Sequence, residues 1–136
     1  MKFLLDANAW IGHLRQSSPT VTHRLSQHPA SDVVLCSVVL AELLYGAERS
    51  GPAHRATNFA LVAKLRSQYL SLPFDDAAAE EYGRIRAHLA GLGKPIGPND
   101  LLIAAIALDN KITLVSHNTA EFSRVPGLTL EDWQIP

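Results

Sequence analysis

Met1-Lys2-Phe3-Leu4-Leu5-Asp6-Ala7-Asn8 opens the chain, and its reading decides the fold. Phe3, Leu4 and Leu5 form a short apolar run that ends abruptly in a carboxylate. A run with no polar member predicts a strand covered on both faces. Asp6 then falls at the carboxyl edge of a sheet, where open α/β folds place their ligands.

Working outward, Ala7 to Arg15 reads as a helix with Trp10, Ile11 and Leu14 on one face. Pro19 opens a second helix to Gln27, and Pro29 to Asp32 is a turn. Val33-Val34-Leu35-Cys36 predicts a second buried strand, with Ser37 as cap of a helix from Val38 to Arg49 that Ser50-Gly51-Pro52 stops. A helix over Ala53–Tyr69, a strand within Leu70–Phe74 and a helix over Ala77–Leu92, capped by Asp75 or Asp76, follow. A breaker-rich loop through Gly93, Pro95, Gly97 and Pro98 leads into Leu101–Leu108, a helix apolar nearly all round. Ile112–Ser116 is a fourth strand, Asn118–Ser123 a helical turn and Leu128–Leu130 a short edge strand. Strands alternating with helices predict an α/β fold with a central parallel sheet of four to five strands. At 136 residues a single domain spanning 1–136 is expected.

Hydrophobic residues make up 47% and charged residues 18%, which excludes a disordered chain and fits a soluble globule. A formal net charge of −1 gives no global basic field, so nucleic-acid binding needs a local patch. Cys36 stands alone in an apolar run and reads as a small buried hydrophobe. Lys2 is followed by only Phe3, Leu4 and Leu5 before Asp6, well short of a signal-peptide core of about 7–15 apolar residues. No run approaches the ~20 apolar residues of a membrane span, so a cytoplasmic protein is expected. The histidines at 13, 23, 28, 54, 88 and 117 lack zinc-ligand spacing.

The informative polar residues are acids. Glu42 lies within Val38-Val39-Leu40-Ala41-Glu42-Leu43-Leu44-Tyr45, where an ionised side chain is costly unless paired or bound to a cation. Asp100, in Gly97-Pro98-Asn99-Asp100, opens the apolar helix and equally suits a first-turn acid satisfying free amides. Asp6 has the same double reading as a cap. Their convergence argues for function: Asp6 ends the first strand, Glu42 sits early in the helix leaving the second, and Asp100 precedes the fourth. Carboxylates gathered at one edge cannot all stay ionised without a counter-charge, and no basic residue adjoins them in sequence. A hard divalent cation, Mg²⁺ or Mn²⁺, accepts such oxygen ligands.

Leu4–Asn8, the segment Ser37–Gly46 with Ser-Val-Val-Leu-Ala-Glu42-Leu-Leu-Tyr-Gly, and Gly97–Ala105 with Gly-Pro-Asn-Asp100-Leu-Leu-Ile-Ala-Ala together resemble the PIN-domain family, and within it the VapC toxins of bacterial toxin–antitoxin pairs. The tail Leu114–Trp133, with Val-Ser-His-Asn118-Thr-Ala-Glu121-Phe, is similar to the same subgroup. The resemblance spans essentially the whole chain and implies a PIN-like three-layer α/β/α fold.

It further implies a metal-dependent endoribonuclease that hydrolyses RNA, with transfer RNA the favoured substrate. Asp6, Glu42 and Asp100 match the family's acidic metal site, with Mg²⁺ the expected cofactor and Mn²⁺ an alternative. Asn118 stands where the family often has a fourth acid, and its amide departs from that pattern. Glu121, three residues on, is positioned to share a helical face with Asn118 and partly restore the charge. Asn118 and Ser116 are expected to position water or a phosphate oxygen, and Arg15, Arg49 and Lys94 are candidate phosphate contacts. A VapB-type antitoxin carrying a basic side chain and a homodimer are also implied. The alternative is a catalytically weak PIN-like module that binds RNA or a protein without cutting. A phospho-receiver domain would need an acidic pair after the first strand, where Ala7 follows Asp6, and a dinucleotide-binding domain a glycine-rich turn that Asp6-Ala7-Asn8-Ala9 does not provide.

Overall fold

The computed structural model describes residues 1–136. Its strands are β1 (Phe3–Leu5), β2 (Val33–Cys36), β3 (Leu70–Leu72), β4 (Thr113–Val115) and β5 (Leu130–Glu131), in one sheet of order β3-β2-β1-β4-β5. All neighbours pair in parallel, with Leu4 opposite both Val34 and Leu114. Leu4, Leu5, Leu35 and Leu114 are fully buried, as expected for strands covered on both faces.

The helices are α1 (Ala7–Leu14), α2 (Pro19–Ser26), α3 (Ser37–Arg49), α4 (Arg55–Gln68), α5 (Asp76–Gly91), α6 (Pro98–Asn110) and α7 (Thr119–Phe122). The chain steps outward from β1 through β2 to β3, then crosses back to the far side of β1 to add β4 and β5. Right-handed crossovers put helices on opposite faces when the direction of winding reverses. Accordingly α1 packs on α2 and α3, and α3 on α4, whereas α5 packs on α6. The reversal falls between β1 and β4, and a crevice opens at the carboxyl ends of such a pair.

Two local devices set the ends. Asp75 caps α5, its Oδ1 accepting from the Ala78 N–H at 2.9 Å. Lys111 closes α6 in the left-handed region at φ 55°. The expected Ser37 cap is corrected: Ser37 is the first residue of α3, Cys36 is the flanking residue, and the Ser37 hydroxyl donates to the Leu72 carbonyl at 3.3 Å. Sheet pairing of Cys36 with Leu72 brings that carbonyl within reach and outcompetes the local bond. The Pro29–Asp32 turn contains a 3₁₀ turn over Ala30–Asp32. No helix is long and apolar enough to cross a membrane.

Removing the Leu4 side chain opens a cavity in the central strand. Leu4→Ala is expected to lower the urea-unfolding free energy by roughly 2–5 kcal/mol. Leu92→Ala, at a side chain 58% exposed, should stay within about 0.5 kcal/mol of the parent.

Candidate active site

Asp6 ends β1 and is only 6% exposed. Its Oδ1 accepts from the Ala9 N–H at 2.9 Å, so it caps α1, and its Oδ2 accepts from the Ser116 hydroxyl at 2.6 Å. Capping and a site role are therefore not alternatives: one oxygen is used by the helix and the other faces the end of β4. Burial raises the Asp6 pKa against the pull of these two hydrogen bonds. Ser116 is 1% exposed, and its oxygen also accepts from the Asn118 N–H at 3.0 Å. The hydroxyl's proton is thus committed to Asp6 while its oxygen holds the chain after β4. Of the two residues expected to position water or a phosphate oxygen, Ser116 is the buried one and acts here on Asp6.

Glu42 is half-buried on the second turn of α3. Burial raises its pKa first; the Asn99 amide beside it favours the ionised form, and the charge of Asp6 opposes ionisation. Asn99 is the partner that sequence reading missed; its only signal was its place beside Asp100. Asp100 lies in the first turn of α6, half-buried. Its Oδ2 accepts from the Asn118 amide at 3.1 Å, and the same amide nitrogen donates to Glu121 Oε2 at 2.8 Å. Burial, then the adjoining Glu121 carboxyl and the charge of Asp6, push the Asp100 pKa up to about 6. Glu121 is shifted the other way, lowered first by its hydrogen bond from Asn118 and then by the adjoining Asp100 carboxyl.

Asp6, Glu42, Asp100, Asn118 and Glu121 therefore meet at the β1–β4 crevice, and Asp6 lies close enough to raise both Glu42 and Asp100. No lysine or arginine forms an ion pair with any of the four acids. They do not close into a ready-made cage of three donors around one point; Asp6 accepts from Ser116 and Asp100 from Asn118. Carboxylate oxygens that suppress one another's ionisation, without a cation among them, still fit a hard divalent ion. Mg²⁺ takes one or two carboxylates and keeps several waters rather than requiring an all-protein cage. His117 Nδ1 pairs with Asp132 Oδ2 at 2.8 Å.

Of the candidate phosphate contacts, Arg15 and Arg49 line one groove of about 640 Å³ that reaches Glu42 and Asn99. Lys94 is not among its residues.

The PIN domain family model matches residues 3–128. The chain is 40% identical over 133 residues, 98% of either chain, to the tRNA(fMet)-specific endonuclease VapC of Shigella flexneri. It is 36% identical, with the same coverage, to ribonuclease VapC2 of Haemophilus influenzae. Its fold superposes with a TM-score of 0.90 on a chain of DNA-bound VapBC from Salmonella typhimurium, at 37% identity and 98% coverage of both. For VapBC2 of Rickettsia felis, bound to a fragment of its promoter DNA, the TM-score is 0.87 at 31% identity, covering 98% of this chain and 99% of that one. The sheet, the acidic crevice at its reversal point and these end-to-end matches lead to one assignment: the chain belongs to the PIN-domain family, in its VapC branch.

Proposed function

We propose that this chain is the toxin of a VapBC-type toxin–antitoxin pair, a metal-dependent endoribonuclease that hydrolyses RNA phosphodiester bonds, with transfer RNA its substrate. The observation that carries the reading is the group of closely placed acids at the β1–β4 crevice, none of which has a lysine or arginine within ion-pair distance. The relatives named as VapC endonuclease and ribonuclease support it, and the tRNA(fMet)-specific one supports the substrate. The reading treats residues 1–136 as one PIN domain.

Asp6, Glu42 and Asp100 would hold Mg²⁺, with Mn²⁺ able to replace it. When bound, the cation supplies Lewis-acid activation of water and stabilises charge developing on the phosphate. The chain's own residues do the positioning. Ser116 and the Ala9 N–H lock the Asp6 carboxylate in one orientation. Asn99, beside Glu42, favours its ionised form against the burial that raises its pKa. Asn118 holds Asp100 and Glu121 with a single amide, so a fourth negative charge is present through Glu121 while position 118 stays neutral. A site this acidic repels RNA until a cation is bound, so metal binding should precede productive substrate binding. A VapB-type antitoxin would silence the same acids by placing a basic side chain among them, and the toxin is expected to form a homodimer.

Incubated with total bacterial RNA, the protein freed of co-purified partner should give discrete cuts in Mg²⁺ and none in EDTA. Asp6→Asn and Asp100→Asn should abolish them. Ser116→Ala, which frees the Asp6 carboxylate without removing it, should cost about 10–100-fold in rate. Intact, well-folded protein that leaves RNA uncut in both Mg²⁺ and Mn²⁺ would point instead to a binding module.

The raised Asp100 pKa predicts how the metal-free protein responds to pH. Between its ordinary value of 3.8 and about 6, the folded chain keeps a proton that the unfolded chain has lost. Unfolding free energy therefore falls as pH rises through this window. In EDTA the melting temperature should drop from pH 4.5 to pH 7 (test values, roughly spanning the window). Asp100→Asn should flatten the drop, and Mg²⁺ should reverse it at the upper end. Glu121, whose pKa is lowered, acts in the opposite sense and only below its ordinary 4.5.

Asn118→Asp replaces two N–H contacts with a further carboxylate facing Asp100 and Glu121. The expected result, read by thermal shift, is a lower melting temperature in EDTA and a larger Mg²⁺-induced rise than in the parent. Equal rises in both would show that position 118 has no bearing on the cation.

A further inference from the structure

The groove beside the acids has a composition that cation binding does not use. It begins at Glu42 and Asn99 and runs along α3, bounded by the end of α1 and by α4. Glu42, Tyr45, Gly46 and Arg49 recur at helical spacing, so they share one face of α3. Tyr45 is 66% exposed, unusual for so large a ring. The Arg49 guanidinium lies over it, 5.5 Å from the ring centroid. Neither Arg49 nor Arg15, on the opposite wall, has an ion-pair partner. Between Glu42 and Arg49 the helix carries Gly46, where an added Cβ would meet nothing within 4 Å. A helix-interior glycine weakens its helix relative to alanine, and no packing contact here requires one. Its effect is to leave the groove floor beside Tyr45 bare.

We propose that Tyr45, Arg15 and Arg49 form a seat for an unpaired nucleobase next to the scissile phosphate, and so contribute to the choice of cleavage site. The inference rests on the ribonuclease reading. The base stacks on the exposed Tyr45 ring, and the two guanidiniums take the phosphates that flank it. Single-stranded nucleic acid is held in this way, by an aromatic face inside a cationic groove. Charge complementarity favours RNA as occupant: the acids at one end await a cation, whereas the groove leading from them, half apolar in its lining, carries Arg15 and Arg49 as its charged groups beyond Glu42, neither with an ion-pair partner. The seat also supplies the local basic patch that the overall charge of −1 does not.

The test uses an RNA fragment spanning the cut mapped on total RNA, and copies with one abasic nucleotide on either side of it. Tyr45→Ala should raise KM about tenfold, the worth of one stacked base, with kcat little changed. Tyr45→Phe and Tyr45→Trp should retain parental KM. One of the abasic copies should be cut equally by the parent and Tyr45→Ala, because the stacking partner is already gone. Gly46→Ala should raise the melting temperature and yet raise KM, a split that a purely structural role would not produce. Parental kinetics in Tyr45→Ala, or an equal loss on intact and abasic RNA, would overturn the seat. So would a Tyr45→Ala variant that cuts normally but changes its mass in solution, which would assign the face to a second copy of the chain. If the parent cuts no RNA, the ribonuclease reading fails. Fluorescence anisotropy with labelled single-stranded RNA then still reads the seat: about tenfold weaker binding by Tyr45→Ala keeps it, and unchanged binding removes it.

Discussion

Asp6 is a carboxylate almost sealed from water at the end of a fully buried strand, and the rest of the crevice is arranged around that cost. Burying an ionisable group unaided pushes it toward its neutral form. Two hydrogen bonds, from Ala9 and Ser116, pull Asp6 back toward ionisation, yet its pKa remains raised. The neighbouring acids add to the strain: Asp6 raises Glu42 and Asp100, and Glu121 raises Asp100 further. The molecule therefore stores unfavourable charge at one place and relieves it only in part with neutral donors from Asn99, Ser116 and Asn118. A hard cation completes what those donors leave undone.

This arrangement follows from topology. The β1–β4 pairing puts Asp6 and Ser116 side by side, although they are 110 positions apart in the chain. The reversal of winding keeps the space beyond them clear of a crossing helix. Glu42 and Asp100 arrive on helices from the two sides, α3 and α6, which meet each other across this end of the sheet. A site of this kind tolerates variation in its helices more readily than in the register of the two central strands, because a one-residue slip would turn Ser116 away from Asp6.

Much of this was legible in sequence. The buried strands announced themselves as uninterrupted runs, and β2 matches its expected span, Val33–Cys36. Glu42 was conspicuous because its neighbours from Val38 to Leu44 are all apolar. Asp100 was not, since a first-turn acid has an ordinary local explanation; only its meeting with Asn118 and Glu121 separates it from a simple cap. What escaped were contacts fixed by pairing across the sheet or between loops. Ser37 looked like a helix cap but is engaged by Leu72, and Ser116 looked free but is committed to Asp6. Asn99 gave no sign that it faced Glu42. Local patterns identify which groups are expensive to bury, while their partners come from parts of the chain that only the fold brings near.

The span of the Asp6–Ser116 bond has a consequence for how the protein comes into being. Asp6 is made 110 positions before Ser116, and so well before the strand that completes the crevice and before the Asn118 and Glu121 that finish the acidic group. A growing chain that has not yet delivered β4 has Asp6 on an unpaired strand edge, without its hydroxyl partner and without the geometry of the site. Until β4 and the turn after it are in place the acids have no common edge at which to gather, so the crevice is a property of the assembled sheet and of no shorter stretch of the chain.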